Sequence, residues 1–435
     1  MLIEFRKLLN KAIKGTEFEG KVYLAGGCVR DELLSRKTSD IDLTVELPEG
    51  GIRLAEFLCE KGIAIQPVVY KQFGTALVTM GKQKVELIMT RRESYRRRSR
   101  KPEVAFGSLH EDVMRRDFTV NSLLMRVSDG EVLDLCGIGM TDIRQKLIRT
   151  TSNPDIIFKE DPLRLLRAVR FASVLGFDLE KKTLSAIRKH APELRNISRE
   201  RITDEFIRIT GSENYIRGIW LLGQTGLRNY VFPGLRISKK LFELDSNLHQ
   251  RRNSKLINTV LSRQSIRSRL ALILWLCRNA SDYLTMLKLT KQDRVRISNL
   301  MLCCRLIRTS LFKDKWAIDV EYRRVSYLIG DALDEVLVLY PLTGLLIKTD
   351  KEIWEKDLQI CKKLKETAIY MRKFRFNLTG DDLIREFCIQ PGPKLNLLLA
   401  LARNYWFEQP QFDKDELLCL LQDNVEDLYG KKRDE

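Results

Sequence analysis

Two patterns of hydrophobic and polar residues divide the chain near residue 140. From residue 21 to about 140, short apolar runs with strand-like alternation are separated by turn residues, as in KVYLAGG, DIDLTVEL, FGTALVTM, KVELIMT and EVLDLC. From about residue 141, apolar residues recur at three- and four-residue spacings, as in LRLLRAVRFASVL and KLNLLLALARNYWF. Alternation is typical of strands, and the longer spacing is typical of amphipathic helices. The sequence therefore predicts an α+β N-terminal part with a small mixed sheet, followed by an all-α remainder.

Composition excludes several classes of protein. The 435 residues are 44% hydrophobic, which disfavours a mainly disordered chain. No stretch approaches the length of an uncharged apolar membrane span, and the first residues, MLIEFRKLLNKAIK, are typical of an amphipathic helix rather than a signal peptide. Nine cysteines without a CxxC pair and three distant histidines disfavour zinc and a disulfide framework. We expect a cytoplasmic protein with free thiols, in which carboxylates would hold any metal.

The charge balance points to a polyanionic partner. Seventy-six basic residues against 58 acidic ones give a net charge of +18. Such an excess favours phosphate contacts and counterion release. No segment combines a basic face with a Trp- and Phe-rich apolar face, so we favour nucleic acid over an anionic membrane. The alternative is a protein with a surplus of surface lysine and no polyanionic partner.

The segment YLAGGCVRDELLSRKTSDIDLTVE carries the first chemical signal. A predicted strand ends at Gly26 and Gly27, and a predicted helix starts at Cys28, so the backbone can approach a phosphate closely and Arg30 can reach the same group. If DIDLTVE is a strand, Asp40 and Asp42 point to one face. Two carboxylates beside a phosphate site suit Mg²⁺, and two such ions can assist nucleotidyl transfer. The alternative is a Gly-Gly turn followed by an exposed acidic strand end.

Further candidates follow in KVELIMT and RRDFTVN. Asp117 and Asn121 would share a face in a helix and offer an acceptor and an amide to ribose hydroxyls, with Arg116 as a phosphate donor. A surface ion-pair cluster is the alternative for this segment. Glu86 is a candidate third catalytic carboxylate, since two-metal polymerases often use three acidic residues, but it fits a surface strand position equally well.

The segment EDPLRLLRAVR predicts a helix with a basic side. Pro162 fits the first turn of a helix, which makes Asp161 a plausible N-cap. Cytosine and adenine each present an amino donor beside a ring-nitrogen acceptor. The carboxylate of Asp161 and the guanidinium of Arg164 can match that edge and mismatch guanine and uracil. The alternative is a capped amphipathic helix with a solvated basic side.

Three segments in order resemble one family. GGCVRD with DID (residues 26–42), RRDFTVN (115–121) and EDPLRLLR (160–167) are similar to motifs of class II tRNA nucleotidyltransferases and bacterial poly(A) polymerases, in the DNA polymerase beta superfamily. The resemblance covers roughly residues 20–210, and FNLTGDDLIREFCIQPGP is similar to a family tail segment. It implies that Asp161 and Arg164 template the incoming base, with Arg167 and Arg170 also near the nucleotide. One departure concerns the third motif, where Asp134 and Asp142 are eight residues apart instead of seven.

The resemblance also implies an activity and a division of the chain. We expect C and A residues to be added from CTP and ATP to the 3′ end of tRNA, without a nucleic-acid template, with Mg²⁺ bound by Asp40 and Asp42 and with release of pyrophosphate. We expect a catalytic head (residues 1–140), a helical neck with the templating motif (141–210), a helical body (211–300) and a helical, tRNA-binding tail (301–435). The alternative without catalytic activity is an RNA-binding protein with a degenerate nucleotidyltransferase fold.

The exact addition remains open between CCA addition, A addition and poly(A) synthesis, in that order of preference. YKQFGTALVTMG resembles the tRNA enzymes, whereas the Asn-Ser of RRDFTVNSLL is shared with many poly(A) polymerases. The segment TRRESYRRRSRKPEV is predicted to be a mobile loop, and in the family a loop at this place is tied to the switch from C to A addition. Its basic residues are Arg91, Arg92, Arg96, Arg97, Arg98, Arg100 and Lys101.

Overall fold

The computed structural model describes residues 2–38, 40–94, 103–235, 239–242, 264–277, 279–310, 318–347 and 351–429. The chain forms two compact units, residues 1–235 and 236–435. Among the described residues, no helix combines the length and the apolar character needed to cross a bilayer. The four-part division into head, neck, body and tail stays a prediction.

A seven-stranded mixed sheet forms the centre of the N-terminal part of the first unit, in the order β3-β4-β5-β2-β1-β8-β9. The strands are β1 (Val22–Ala25), β2 (Ile41–Val45), β3 (Ile65–Tyr70), β4 (Thr75–Met80), β5 (Gln83–Met89), β6 (Arg91–Ser94), β7 (Glu103–Phe106), β8 (Leu124–Arg126), β9 (Val132–Leu133), β10 (Leu147–Ile148) and β11 (Asp178–Leu179). Within the large sheet, β2 and β5 are parallel, and the other recorded pairs are antiparallel. Ile41, Leu43 and Val45 are buried, as strand alternation predicts for the inner face of a central strand.

The prediction of a loop over TRRESYRRRSRKPEV is wrong at both ends. β6 and β7 pair antiparallel, with Arg91 opposite Phe106 and Ser94 opposite Glu103. Backbone groups make this pairing, so it requires no apolar alternation in the sequence. Residues 95–102, which carry five of the basic side chains, lie outside the described residues.

Eleven α-helices are described in the first unit, and their amphipathic faces cover the sheet and pack on one another. They are α1 (Leu2–Ile13), α2 (Gly27–Leu33), α3 (Gly50–Glu60), α4 (Leu109–Met114), α5 (Gly139–Gln145), α6 (Pro154–Glu160), α7 (Leu163–Leu175), α8 (Lys181–His190), α9 (Arg199–Gly211), α10 (Tyr215–Gln224) and α11 (Arg228–Val231). α7 packs against α9 and α10, and this places the residues of EDPLRLLRAVR beside the sheet-bearing part of the same unit. The predicted N-terminal amphipathic helix is confirmed, since Leu2, Phe5, Leu9 and Ile13 of α1 are buried.

The described part of the second unit is built from helices. They are Ile266–Leu274, Ala280–Met286, Lys291–Ser310, Ile318–Ile329, Leu333–Ile347, Lys351–Met371, Gly380–Phe387, Pro393–Glu408 and Lys414–Tyr429. The last three helices share an apolar core around Trp406. Elsewhere in the unit, Asp357 is fully buried and pairs at 2.9 Å with Arg308, whose guanidinium lies 4.4 Å from the centre of the Tyr340 ring. These elements confirm the predicted helical remainder, to which the short parallel pair β10 and β11 between residues 147 and 179 is an exception.

Candidate active site

A cavity of about 570 Å³ in the first unit brings together nearly all of the predicted site residues. Its lining includes Gly26, Gly27, Arg30, Asp40, Asp42, Arg116, Asp117, Asn121, Asp161, Arg164, Arg167 and Arg170. These residues come from four stretches of the chain: α2 and the turn before it, the start of β2, the loop and 3-10 turn after α4, and α7 with the residue Asp161 before it. Glu86 does not line the cavity.

The Gly-Gly turn joins β1 to α2 at the edge of the cavity. Gly26 has a φ of +71°, a left-handed conformation that favours glycine, and a Cβ there would lie 3.4 Å from Arg116 Nη1. α2 begins at Gly27, one residue before the predicted start. Behind the turn, Arg30 is buried, pairs with Asp31 at 2.8 Å and donates to the side-chain oxygen of Asn121. The turn therefore leaves backbone exposed to the cavity, while Arg30 is held from two sides.

Two carboxylates lie at the start of β2. Asp40 directly precedes the strand and is exposed, whereas Asp42 is half-buried within it, and both line the cavity. Burial, and next the charge of Glu86, raise the pKa of the Asp42 carboxyl to about 6; Arg116 opposes the rise and Asp40 adds to it. A cation at this place would relieve the mutual repulsion of these carboxylates.

Glu86 lies on β5 directly beside Asp42 in the parallel pairing of β2 and β5. It is exposed and close enough to raise the pKa of Asp42, although it is outside the cavity lining. Within the described ranges, no group of three or more His, Cys, Asp or Glu side chains is arranged to hold a metal ion. Of the five aspartates that line the cavity, Asp40 and Asp42 are the two at the start of β2, and the others are Asp31, Asp117 and Asp161.

A buried carboxylate that the sequence analysis missed holds the second motif in place. Asp112 of α4 is 1% exposed and pairs with both Arg115 and Arg116, the latter at 2.9 Å. Burial alone would raise the pKa of Asp112, but the two guanidiniums and their hydrogen bonds bring it below its usual value. Arg116 also donates to Thr44 Oγ1 at 3.1 Å, so the motif is tied directly to β2. The alternative of a surface ion-pair cluster of Arg115, Arg116 and Asp117 is wrong, because the two arginines pair with the buried Asp112 and Asp117 pairs with Arg167.

Asp117 and Asn121 lie close together without the α-helix that their spacing suggested. The segment is a loop that leads into a 3-10 turn over Thr119–Asn121, and Asn121 Nδ2 donates to Asp117 Oδ1 at 3.4 Å. Asp117 also accepts from Arg167 Nε of α7 at 2.7 Å. The result is a hydrogen-bonded chain from Arg167 through Asp117 and Asn121 to Arg30, which joins α7 to α2.

An aromatic ring lies among the arginines of α7. Phe171 lines the cavity, and the guanidinium carbons of Arg170, Arg167 and Arg30 lie 4.4, 5.5 and 5.6 Å from its ring centre. Cation–π contacts of this kind hold guanidiniums against a ring face. Burial also lowers the pKa of Arg170 to about 10, although Glu205 opposes the shift. The basic side of the predicted helix is therefore packed around Phe171 and is only partly solvated.

Asp161 and Arg164 both line the cavity, but their side chains do not pair with one another. Arg164 pairs with Glu160 at 2.9 Å and donates to the backbone oxygens of Ile157 and Arg115. Asp161 accepts from Leu163 N and, across the cavity edge, from Arg201. The expectation that Asp161 is the N-cap of this helix is wrong: α7 begins at Leu163 with Pro162 as its N-cap, and Asp161 is the C-cap of α6, although its Oδ1 accepts from Leu163 N at 3.1 Å.

The irregular third motif forms the junction between α5 and the second motif. Asp134 Oδ2 accepts from Met140 N at 2.9 Å, and the buried Asp142 accepts from Thr119 Oγ1 at 2.7 Å and from Arg149 Nε at 3.1 Å. The eight-residue spacing therefore still delivers both carboxylates to structural hydrogen bonds. Neither side chain lines the cavity.

Two family models match the first unit. The Poly A polymerase head domain matches residues 22–149, and the probable RNA and SrmB- binding site of polymerase A matches residues 176–237. Together they cover the sheet, the second and third motifs, and helices α8 to α11.

Curated relatives extend the comparison to most of the chain. A CCA-adding enzyme of Enterococcus faecalis is 32% identical over 405 residues, which are 92% of this chain and 90% of that protein. The chain belongs to the CCA-adding enzyme family. A CCA-adding enzyme of Bacillus velezensis is 40% identical over 218 residues, and that alignment spans 49% of this chain and 52% of the relative.

The fold of this family member is also that of a solved structure. The crystal structure of the Bacillus stearothermophilus CCA-adding enzyme in complex with CTP has a TM-score of 0.74 and 23% identity, and the match covers 98% of this chain and 99% of that one. This match confirms the predicted fold class, and the similarity to the Enterococcus faecalis enzyme confirms the predicted family. Proteins of this family are nucleotidyltransferases, which are generally metal-dependent.

The sequence analysis did not predict four side chains that lie around the cavity of this member of the CCA-adding enzyme family. Asp112, Glu160, Phe171 and Arg201 all contact predicted site residues. Glu160 and Phe171 are close in sequence to Arg164 and Arg170, so helical spacing could have suggested them. Arg201 is 40 residues away from Asp161 in the sequence, and no local signal pointed to that contact.

Proposed function

We propose that this protein adds C and A residues from CTP and ATP to the 3′ end of tRNA, with release of pyrophosphate. The observation that carries this proposal is the shared cavity: one space is lined by a Gly-Gly turn, by paired carboxylates and by a carboxylate with a guanidinium at the start of α7. These parts suit a triphosphate, its metal ions and a base edge. Full-length similarity to a CCA-adding enzyme supports the same reaction.

The triphosphate is proposed to bind against the Gly-Gly turn and beside Arg116. Only a glycine takes the left-handed conformation of Gly26 without strain, and the absence of side chains at Gly26 and Gly27 permits a close approach of phosphate oxygens. Arg116 is already fixed by Asp112 and Thr44, so its charge needs little reordering when the anion binds.

Asp40 and Asp42 are the proposed ligands of a two-ion Mg²⁺ site. Hard carboxylate oxygens suit Mg²⁺, which commonly binds through one or two carboxylates together with substrate phosphates. The raised pKa of Asp42 supports this assignment, because the carboxylate lies in surroundings where a cation is favourable. Bound Mg²⁺ would activate the attacking hydroxyl and stabilise the leaving pyrophosphate. Glu86 is proposed as a third, supporting carboxylate.

Asp117 and Asn121 are the proposed contacts of the ribose hydroxyls. Both are nearly buried, and their partners Arg167 and Arg30 fix them in one orientation. A fixed acceptor and a fixed amide can distinguish a nucleotide that carries a 2′-hydroxyl from one that lacks it.

Asp161 and Arg164 are proposed to read the base, with Arg167 and Arg170 beside the nucleotide. The carboxylate accepts from the amino group that C and A share, and the guanidinium donates to the adjacent ring nitrogen. Because Arg164 is held by Glu160 and two backbone oxygens, binding of a base requires it to exchange or share some of these partners.

The remaining assignments concern the whole chain. Residues 1–140 are the proposed catalytic head, 141–210 the neck, 211–300 the body and 301–435 the tRNA-binding tail. The net charge of +18 supports a tRNA partner. We also propose a cytoplasmic location and a site that does not use zinc, on the cysteine and histidine pattern alone.

The deciding experiment uses tRNA transcripts that lack the last three, two or one nucleotides of the 3′ end. Purified protein is incubated with each transcript and with CTP, ATP or both, and products are resolved at single-nucleotide length. We expect two C additions from CTP alone and one A addition when both nucleotides are present. Extension by A only, or by a long A tail, would replace the proposed activity with A addition or poly(A) synthesis.

A further inference from the structure

Helix α9 presents two charged side chains to the residues proposed to hold the nucleotide. Arg201 and Glu205 are four residues apart, so they share a face of α9. Arg201 Nη2 lies 3.1 Å from Asp161 Oδ2, and Glu205 Oε2 lies 3.2 Å from Arg170 Nε. α9 therefore supplies an opposite charge to two residues beside the base-reading position.

The contacts of Asp161 define the orientation of its carboxylate. Oδ1 accepts from Leu163 N at 3.1 Å, and Oδ2 accepts from Arg201 Nη2 at 3.1 Å. One donor on each oxygen fixes the plane of the group. A carboxylate has about four acceptor positions, so capacity remains on both oxygens for an amino group of a base.

The two proposed base-reading side chains are held by different elements. Arg164 is held by Glu160 from the last turn of α6, whereas Asp161 is held by Arg201 from α9. Arg201 also lines the cavity, and its side chain is 52% exposed. It can therefore be replaced without opening the core of the unit, and its effect on Asp161 can be tested separately from folding.

We infer that Arg201 is a specificity-determining positioning residue: it holds the Asp161 carboxylate so that the base-facing acceptor is presented in one orientation. The inference rests on the proposed base-reading role of Asp161. Without Arg201, the Asp161 carboxylate keeps only the hydrogen bond from Leu163 N and is free to change its orientation. The carboxylate then presents its acceptor in more than one orientation. The kcat/KM values for CTP and ATP therefore fall relative to those for UTP and GTP.

The test compares Arg201→Ala and Arg201→Lys with the parent in full-length protein. We expect Arg201→Ala to lower the ratio of kcat/KM for CTP to that for UTP by roughly three- to tenfold, a part of the roughly 5- to 150-fold that a complete bidentate base contact supplies. Arg201→Lys should recover part of the ratio, because it keeps a cation opposite Asp161. Affinity for tRNA and thermal unfolding should change little.

A matched control separates this effect from the loss of any surface charge. Arg53→Ala removes a similarly exposed arginine that pairs with Glu17 and does not line the cavity. The selectivity of this variant should equal that of the parent. If Arg201→Ala lowers tRNA affinity and leaves the nucleotide ratio unchanged, Arg201 is an RNA contact and the inference is wrong.

A double-mutant cycle asks whether Arg201 acts through Asp161. In an Asp161→Ala background, which removes both acceptor oxygens, Arg201→Ala should cause no further loss of selectivity. Equal losses in both backgrounds would contradict the inference. If the parent incorporated no CMP, the proposed function would fail; the ratio of CTP to UTP affinity, measured by titration calorimetry on parent and Arg201→Ala protein, would still decide the role of Arg201.

Discussion

The surroundings of Asp42 disfavour the negative charge of its carboxylate, as its raised pKa shows. The carboxyl is half-buried, Glu86 lies beside it on the neighbouring strand, and Arg116 compensates only in part. Such a position weakens the fold slightly and is typical of residues that bind a cation. The sequence around Asp42 indicates the carboxylate pair with Asp40, whereas the neighbouring charge of Glu86 follows only from the pairing of β2 with β5.

Asp42→Ala should abolish nucleotide incorporation and leave tRNA affinity nearly unchanged. A metal ion contributes several kcal/mol of charge stabilisation to the reaction, so the rate should fall by roughly a thousandfold or more. Single-turnover incorporation of CMP and tRNA binding are measured on the same preparation. Glu86→Gln is the companion variant, and a much smaller loss there would place Glu86 in a supporting role. Parental turnover by Asp42→Ala in Mg²⁺ would show that the active site is elsewhere.

At this scale, the sequence predicted most of the site, because motifs keep their chemistry in local order. The Gly-Gly turn, the Asp40–Asp42 pair and the arginines of α7 needed only strand and helix periodicity. The partners of those side chains were not predictable in the same way. Arg201 reaches Asp161 through the packing of α9 on α7, and nothing in the residues around position 161 specifies that contact.

Among the elements, the carboxylate of Asp112 joins α4 to the β6–β7 hairpin and to the second motif. Asp112 pairs with Arg115 and Arg116 and also accepts from Arg91 N, at the first residue of β6. The helix, the hairpin and the second motif therefore meet at a buried negative charge. Removal of that charge leaves two guanidiniums without their shared partner.

Asp112→Asn should lower the free energy of unfolding by about 3 kcal/mol at pH 7, near the lower end of the range for losing one partner of a buried ion pair. The folded-state pKa of Asp112 is below its usual value. Its contribution to stability is therefore fully present above the unfolded pKa of about 3.9 and is lost as the pH falls through the folded pKa. The difference between parent and variant, from urea unfolding, should be constant from about pH 7 to 5 and shrink below about pH 4. A difference that grew on acidification would contradict this sign.

A second prediction at the scale of elements concerns residues 95–102, which connect the paired strands β6 and β7. Residues 95–102 should be replaced by a short Gly-containing turn, so that Arg91–Ser94 and Glu103–Phe106 keep their pairing. We expect A addition to fall at least about tenfold more than C addition, because the family resemblance ties this segment to the change from C to A. The measurement is the rate of each single addition on matched tRNA transcripts. Equal loss of both steps would indicate a general role in RNA binding instead.

Short strands without a buried face carry no periodic pattern in the sequence, and this limited the prediction of secondary-structure elements. The helices from α7 onward and the central strands β1, β2, β4 and β5 were readable, because burial imposes a period on their sequences. β6 and β7 carry charged residues and pair through their backbones, and so they were taken for a loop. The 3-10 turn after Asp117 was also unreadable, since a four-residue spacing fits both a helix and a tight turn.

For the whole molecule, the excess of positive charge makes binding of tRNA sensitive to salt. Affinity should fall at least about tenfold between about 50 and 200 mM salt, because each phosphate contact releases counterions. Filter binding of full-length tRNA across that interval measures the slope. A nearly flat dependence would contradict an electrostatic RNA surface. The same titration with CTP in place of tRNA is the comparison, and its dependence should be weaker because fewer phosphates are contacted.

At this scale, the sequence predicted the order of an α+β part and a helical part, which is confirmed, while the division into head, neck, body and tail stays a prediction. The structure forms two compact units, with the division along the chain between residues 235 and 236. Helical periodicity continues through residues 141–235 and beyond, so the pattern contains no break that marks this boundary. Long-range packing determines it.

The residues proposed for chemistry and those proposed for base choice occupy different elements. The carboxylates are at the start of the central strand β2, whereas Asp161, Arg164 and Arg201 belong to the α6–α7 junction and to α9. An engineer who wants this polymerase to accept another base can therefore randomise the helices and leave the sheet untouched. Substitutions on these helices can then alter the choice of nucleotide without altering the carboxylates proposed to bind the metal ions.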